Sequence, residues 1–238
     1  MIRAVVFDFG QTLVDSADGF RTAEKEAQAK ALAVLGVQDQ EAFLAVYREI
    51  RSRFHSRSIV SRKKILAELF SHYGRTPDDA LLSAWENQYW ERIKATTRIF
   101  PEARAVLAAL KERYRLALIT NAQGQTEEGR HRLANYPEIA GFFEEIVVAG
   151  EGGVPAKPDP VPFRLCLERL GIAPGEALYV GDDWQNDVLG SQAVGMHPVW
   201  LKHRTVVRHW PTVDAAAVPV IASLEGLLDI ERLVGRDR

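Results

Sequence analysis

The sequence predicts an α/β fold: a doubly wound parallel sheet interrupted by an inserted helical unit. Three observations predict it. Short apolar runs rich in β-branched residues recur beyond residue 100, with helical stretches between them. One further run of this kind stands apart at the N-terminus. The stretch from 18 to 97 that separates it from the rest carries apolar residues at helical spacing and no strand-like run.

Each element has its own signal. Ile2 to Phe9 (IRAVVFDF) is too short for a helix and reads as a buried strand. Apolar faces then follow at Ala31, Leu32 and Leu35, at Phe43, Val46, Tyr47 and Ile50, and at Ile65, Leu66, Leu69 and Phe70. A last one spans Leu81, Leu82, Trp85, Tyr89 and Ile93. Gly36, Gly74 and the Thr76-Pro77 pair punctuate them, which gives about four helices. Residues 101–113 read as a helix, Leu116 to Thr120 as a strand, and the region near 125–135 as a helix. Glu145 to Ala149 is a strand, Pro160 to Leu170 a helix, Ala177 to Gly181 a strand and Asn186 to Val194 a helix. His197 to Leu201 and Val218 to Ala222 read as the last strands, before a helix near 224–233. This alternation implies a Rossmann-like core, built from about 1–14 and 98–238, with an α-helical cap over about 15–97.

Composition narrows the class. Hydrophobic residues make up 47% and charged residues 26%, as in an ordinary globular chain. The formal net charge of −2 supplies no basic field for nucleic acid or anionic membrane, so neither is expected as a partner. Cys166 is the only cysteine, so no internal disulfide forms, which suits a reducing compartment and an expected cytoplasmic location. The N-terminal apolar run is broken by Asp8 and reads neither as a signal peptide nor as a membrane span. Oligomeric state leaves no mark in the sequence.

In doubly wound sheets, ligands bind beyond the carboxyl ends of the strands. Four strand ends here carry polar groups. They are FDFGQTLVDS with Asp8, LITNA with Thr120 and Asn121, the downstream PAKPDP with Lys157, and VGDDWQND with Asp182, Asp183 and Asp187. This mixture suits phosphoryl transfer. Clustered carboxylates repel unless a cation neutralises them, and oxygen-only ligands favour Mg²⁺. A lysine and a hydroxyl hold phosphoryl oxygens, and an aspartate can serve as nucleophile. Read without that context, Thr120 and Asn121 are helix-capping residues, Lys157 is a solvated loop lysine, and Asp182 or Asp183 is an N-cap.

All four segments resemble the motifs of the haloacid dehalogenase (HAD) superfamily, in its phosphatase branch with a helical cap inserted after the first motif. They occur in the family's order and the resemblance covers essentially the whole chain. It implies a hydrolase of a small phosphorylated substrate with Mg²⁺ as cofactor. It places the phosphorylated aspartate at Asp8 and a metal-binding main-chain carbonyl at Gly10. It puts phosphoryl binding on Thr120, beside Asn121, and the motif-three lysine at Lys157. Metal ligands fall on Asp8, Asp182 and Asp187, with Asp183 adjacent.

One position departs from the pattern. The branch reads Asp-x-Asp-Gly-Thr, and this chain reads Asp8-Phe9-Gly10-Gln11-Thr12. Gly10 has no side chain to protonate a leaving oxygen, although its carbonyl remains. Gln11 can orient water but transfers no proton at neutral pH. Asp15, Asp183 or a cap residue are the candidate substitutes. Two rival functions follow: a non-catalytic protein that binds a phosphorylated ligand or a protein partner, and a metal-independent dehalogenase. The three aspartates of the fourth motif disfavour the second.

The most basic stretch runs from Arg51 through Arg53, His55 and Arg57 to Arg62, Lys63 and Lys64. It reads as a solvated helix face, or as a source of groups that grip an anionic leaving group. Trp184, inside the fourth motif, is a candidate wall of the site. Cys166 reads as inert core.

Overall fold

The structure is a computed structural model and describes residues 1–56, 61–122, 132–207 and 209–235. In chain order, β1 (Ala4–Phe7) and β2 (Val14–Asp15) precede α1 (Ala17–Leu35), α2 (Gln40–His55), α3 (Arg62–His72) and α4 (Asp79–Thr96). Then come β3 (Arg98–Ile99), α5 (Ala103–Lys111), β4 (Arg115–Asn121), α6 (Pro137–Ala140), β5 (Glu145–Ala149) and α7 (Pro160–Leu170). The chain continues through β6 (Ala177–Gly181), α8 (Gly190–Ala193), β7 (His197–Leu201), β8 (Val220–Ile221) and α9 (Ile230–Val234). Two compact units result. One holds the described residues of Met1–Ala17, Arg98–Asn121 and Arg130–Arg238, and the other is built on Asp18–Thr97.

The first unit is a sheet in the order β5-β4-β1-β6-β7-β8. Every pairing in it is parallel. Strand parity explains its two covered faces. Val5 and Phe7, Leu116 and Leu118, and Leu178 and Val180 enter one core, with Val106, Leu107 and Leu110 of α5. Ala4 and Val6, Ala117 and Ile119, and Ala177 and Tyr179 enter the other, with Phe163, Cys166, Leu167 and Leu170 of α7. Each large side chain so buried contributes about 1.5–3 kcal/mol, which is what fixes strand register. The chain runs outward from β1 through β4 to β5, then returns to the other side of β1 as β6. That reversal makes the carboxyl end of β1 the switch point at which doubly wound folds bind ligands.

Among the described residues, the second unit holds four helices. Asp39, Ser61 and Asp78 start α2, α3 and α4 by accepting main-chain N–H bonds. Phe43, Tyr47, Ile50, Ile65, Leu66, Leu69, Phe70 and Leu82 form its main core. The apolar faces of the sequence therefore pack as the periodicity predicts, and the number of helices is as expected.

Several expectations shift. Val14–Asp15 pairs antiparallel with Arg98–Ile99, a ribbon not expected from sequence because each strand is two residues long and leaves no period to detect. The expected helix at Asn186–Val194 begins earlier, as a π-helical turn at Trp184–Leu189 that runs into α8. The final helix is broken at Asp229 into a 3₁₀ turn (Leu224–Leu228) and α9. The expected helix near 125–135 lies outside the described residues except for Arg132–Asn135, a 3₁₀ turn. Among the described residues, no helix is long and apolar enough to cross a membrane.

Candidate active site

Asp8 follows β1 directly, and its N–H is bonded to the Val180 carbonyl at 2.9 Å, so β6 holds it at the sheet edge. Asp182 follows β6. Asp187 lies one turn further on, inside the π-helical turn that Asp183 caps by accepting the Asn186 N–H at 2.9 Å. These two short connections bring three carboxylates together. Asp8, Asp182 and Asp187 each offer an oxygen within 4.8 Å of the others, and all three are buried.

Lys157 is inserted among them. Its ammonium donates to Asp8 Oδ1 at 2.8 Å, Asp187 Oδ1 at 2.7 Å and the Ile119 carbonyl at 3.0 Å. The side chain arrives from the loop between β5 and α7, and Asn121 pins that loop. The Asn121 amide donates to the Lys157 carbonyl at 3.1 Å and accepts from its N–H at 2.8 Å. Asn121 is therefore engaged with the lysine's main chain. Thr120 lies buried at the end of β4, paired in register with Val148.

Burial sets the electrostatics. Burial alone lowers the Lys157 pKa, but the Asp187 and Asp8 carboxylates beside it outweigh this and hold the ammonium charged well above its usual range. Burial pushes Asp187 up to about 7, against the pull of Lys157. Lys157 contacts two of the three buried carboxylates, so carboxylates outnumber ammonium groups in the cluster, an excess that a divalent cation offsets. The donors are all oxygen, the set a hard cation such as Mg²⁺ takes. The residues present thus fit the metal that the motifs imply.

Sequence reasoning missed three contributors. Tyr179 lies within β6, and its hydroxyl is 2.9 Å from Lys157 Nζ and 3.2 Å from Asp187 Oδ1. A single polar-tipped side chain in an otherwise apolar strand was the available signal. Thr12 donates to Asp8 Oδ2 at 3.2 Å. Trp200 Nε1–H donates to the Asp182 carbonyl at 2.9 Å, and Trp184 packs on Trp200 with ring centroids 4.8 Å apart.

The loop after Asp8 is tightly organised. Gly10 bridges to Val14, and Gln11 has a left-handed φ of 59°. The Gln11 amide donates to Ser16 Oγ at 3.0 Å, and its oxygen accepts the Ser16 N–H at 3.3 Å. Asp15 accepts the Ala17 N–H at 3.1 Å. Of the substitutes named for the absent second aspartate, Asp15 and Asp183 each accept a main-chain N–H at a helix start, while Gln11, which could only orient water, is held by Ser16.

The chain is 31% identical over 201 residues to a phosphoglycolate phosphatase of Yersinia pseudotuberculosis, covering 82% of this chain and 78% of that one. It is 35% identical over 141 residues to a phosphoserine phosphatase of Thermus thermophilus, covering 59% of this chain and 54% of that one. In structure it is similar to a 2-haloacid dehalogenase from Pseudomonas syringae, with a TM-score of 0.66, 24% identity and 99% of each chain covered. At that identity the likeness speaks for the fold alone. The profile of haloacid dehalogenase-like hydrolases matches residues 2–195, which takes in every strand end that carries Asp8, Thr120, Lys157, Asp182 and Asp187, and the chain belongs to that family.

Proposed function

We propose that this chain is a Mg²⁺-dependent phosphatase that hydrolyses a small phosphate monoester through an aspartyl-phosphate on Asp8. The observation that carries the reading is the buried cluster in which Lys157 bridges Asp8 and Asp187 beside Asp182. The phosphatases among the chain's relatives support the same reaction class. Bound by the Asp8, Asp182 and Asp187 carboxylates and the Gly10 carbonyl, Mg²⁺ supplies the charge neutralisation that lets a carboxylate approach an anionic phosphate.

The chain's own residues perform the rest. An Asp8 oxygen attacks phosphorus, forming one P–O bond as the bond to the leaving oxygen breaks. Lys157 keeps Asp8 oriented and offsets charge that develops on the phosphoryl oxygens. The Thr120 hydroxyl donates to one of those oxygens. Tyr179 and Asn121 position Lys157, from its ammonium and its main chain respectively. The leaving oxygen takes its proton from solvent, because Gly10 offers none. Water then hydrolyses the acyl phosphate and frees Asp8.

Hydrolysis of 4-nitrophenyl phosphate and acetyl phosphate, with Mg²⁺ and with chelator, tests the proposal against an Asp8→Asn control. Both compounds have good leaving groups, so the lack of a second aspartate does not mask turnover. Metal-dependent turnover lost in Asp8→Asn is the expected result. Turnover that survives the chelator would instead favour dehalogenase-type chemistry. Absence of turnover on both compounds would favour a phosphate-binding protein without activity.

A further inference from the structure

The helical unit contains a pocket of its own, about 470 Å³, lined from α1, α2, α3 and α4. That volume suits a small organic molecule, since ligand pockets span roughly 300–1,000 Å³. Its charge is one-sided. Arg21, Lys25, Arg51 and Arg62 line it against a single carboxylate, that of Glu24. Glu24 is already shared: Oε1 accepts from Arg51 at 3.0 Å and Tyr47 at 2.9 Å, Oε2 from Arg62 at 3.0 Å and Tyr89 at 3.2 Å. Arg21 also pairs with exposed Asp18 at 2.8 Å, outside the pocket lining.

Two features make this a built site. Arg62 is buried and fixed, with its guanidinium 4.9 Å from the centre of the Tyr89 ring. Arg51 is 44% exposed at its side chain, so its fork reaches both Glu24 and solvent. With Asp18 counted beside Glu24, four cations still face two carboxylates, and anions are drawn to such a concavity. Guanidinium forks match the planar carboxylate. Phe20 and the Tyr89 ring add apolar wall, which an organic body uses and a bare inorganic anion does not.

We propose that the pocket formed by Arg21, Glu24, Lys25, Arg51 and Arg62 binds a small organic carboxylate. The inference stands on the helical unit alone and does not depend on turnover at Asp8. The carboxylate can belong to the phosphorylated substrate or to a separate small molecule, and the test distinguishes these sources.

Benzoate and succinate are titrated into the full chain against benzamide and succinamide at matched ionic strength, by calorimetry and ligand-detected NMR. The carboxylates are expected to bind saturably and the amides at least tenfold more weakly, the size of one charge-assisted hydrogen bond. Arg51→Gln and Lys25→Gln, both at exposed positions, are expected to weaken carboxylate binding about fivefold to tenfold each, the size of an ordinary hydrogen bond open to solvent. Equal binding of carboxylate and amide, no binding of either, or affinity unchanged in both variants would overturn the proposal. Competition with 4-nitrophenyl phosphate hydrolysis assigns the carboxylate to the substrate. Binding without competition assigns it to a separate ligand. A failure of turnover on 4-nitrophenyl phosphate leaves the titrations intact, so the two readings fail separately.

Discussion

Lys157 and Asp8 are 149 residues apart in the chain, yet the lysine ammonium lies 2.8 Å from the aspartate Oδ1. The contact exists because the loop after β5 returns across the sheet edge under the hold of Asn121. The cation therefore has two tasks. It neutralises carboxylates that the fold has buried, and in the proposed reaction it offsets phosphoryl charge.

Lys157→Met separates those tasks. Removing one partner of a buried ion pair costs about 3–5 kcal/mol, because the other charges stay buried without it. The variant is expected to unfold at lower urea by that amount in chelator, and to recover part of the loss when Mg²⁺ is added. Turnover is expected to stay at least about 10²-fold down with the metal present, as for loss of a charge-stabilising group. A variant as stable as the parent in chelator would mean that the buried carboxylates do not need the lysine charge, and the charge argument would fail.

Gly181 lies at the end of β6, next to this cluster. An added Cβ would overlap the Asp187 carboxyl group. Gly181→Ala is therefore expected to displace Asp187 from Lys157 and from the Asp183 N–H, with about 1–3 kcal/mol lost to overpacking. Mg²⁺ affinity, read by calorimetry, is expected to fall at least about tenfold, as for loss of ligand support at a metal site. Gly175→Ala is the control, since a Cβ there meets nothing within 4 Å. If both variants behave alike, Asp187 is not held in the way described.

Gly10→Asp restores the side chain that the family pattern carries at this position. General acid catalysis is worth roughly 10²–10⁴-fold, and it matters most where the leaving group is poor. Steady-state rates on an alkyl phosphate are expected to rise by more than tenfold over those on 4-nitrophenyl phosphate. An equal effect on both, or none, would show that another group already transfers the proton.

What was legible in the sequence follows from range. Asp8 and Asp182 could be placed at one sheet edge from the sequence because each directly follows a run whose apolar content declares a buried strand, and the fold gathers strand ends. The β2–β3 ribbon could not, since Val14–Asp15 and Arg98–Ile99 are too short to show a period. Tyr179 was hidden for the opposite reason: it sits in a strand that is buried throughout, so its hydroxyl looked like part of the core. Glu24 shows the same limit. On α1 it has the spacing of any half-buried helix residue, and only the packing of α2, α3 and α4 brings Tyr47, Arg51, Arg62 and Tyr89 to it.

That last network has a pH signature. Burial acts to raise the Glu24 pKa, but Arg62, Arg51 and the Tyr47 hydroxyl outweigh it, so the folded value lies below the ordinary 4.5. A carboxylate with a depressed folded pKa stabilises the native state fully above its unfolded pKa, and that contribution is lost as pH falls through the folded one. Glu24→Gln removes the charge at every pH and leaves buried Arg62 without this partner, at a cost of about 3–5 kcal/mol near neutrality. Below 4.5 the parent's unfolded chain takes up the proton first, so the gap narrows, and it closes only as pH falls through the depressed folded pKa. Urea denaturation of both from pH 7 to pH 3 checks this: the stability gap is expected to hold down to about 4.5 and to shrink below it. A gap that stays constant to pH 3 would mean the loss comes from packing and hydrogen bonding in the Gln variant, and not from the charge that Glu24 shares with its two arginines.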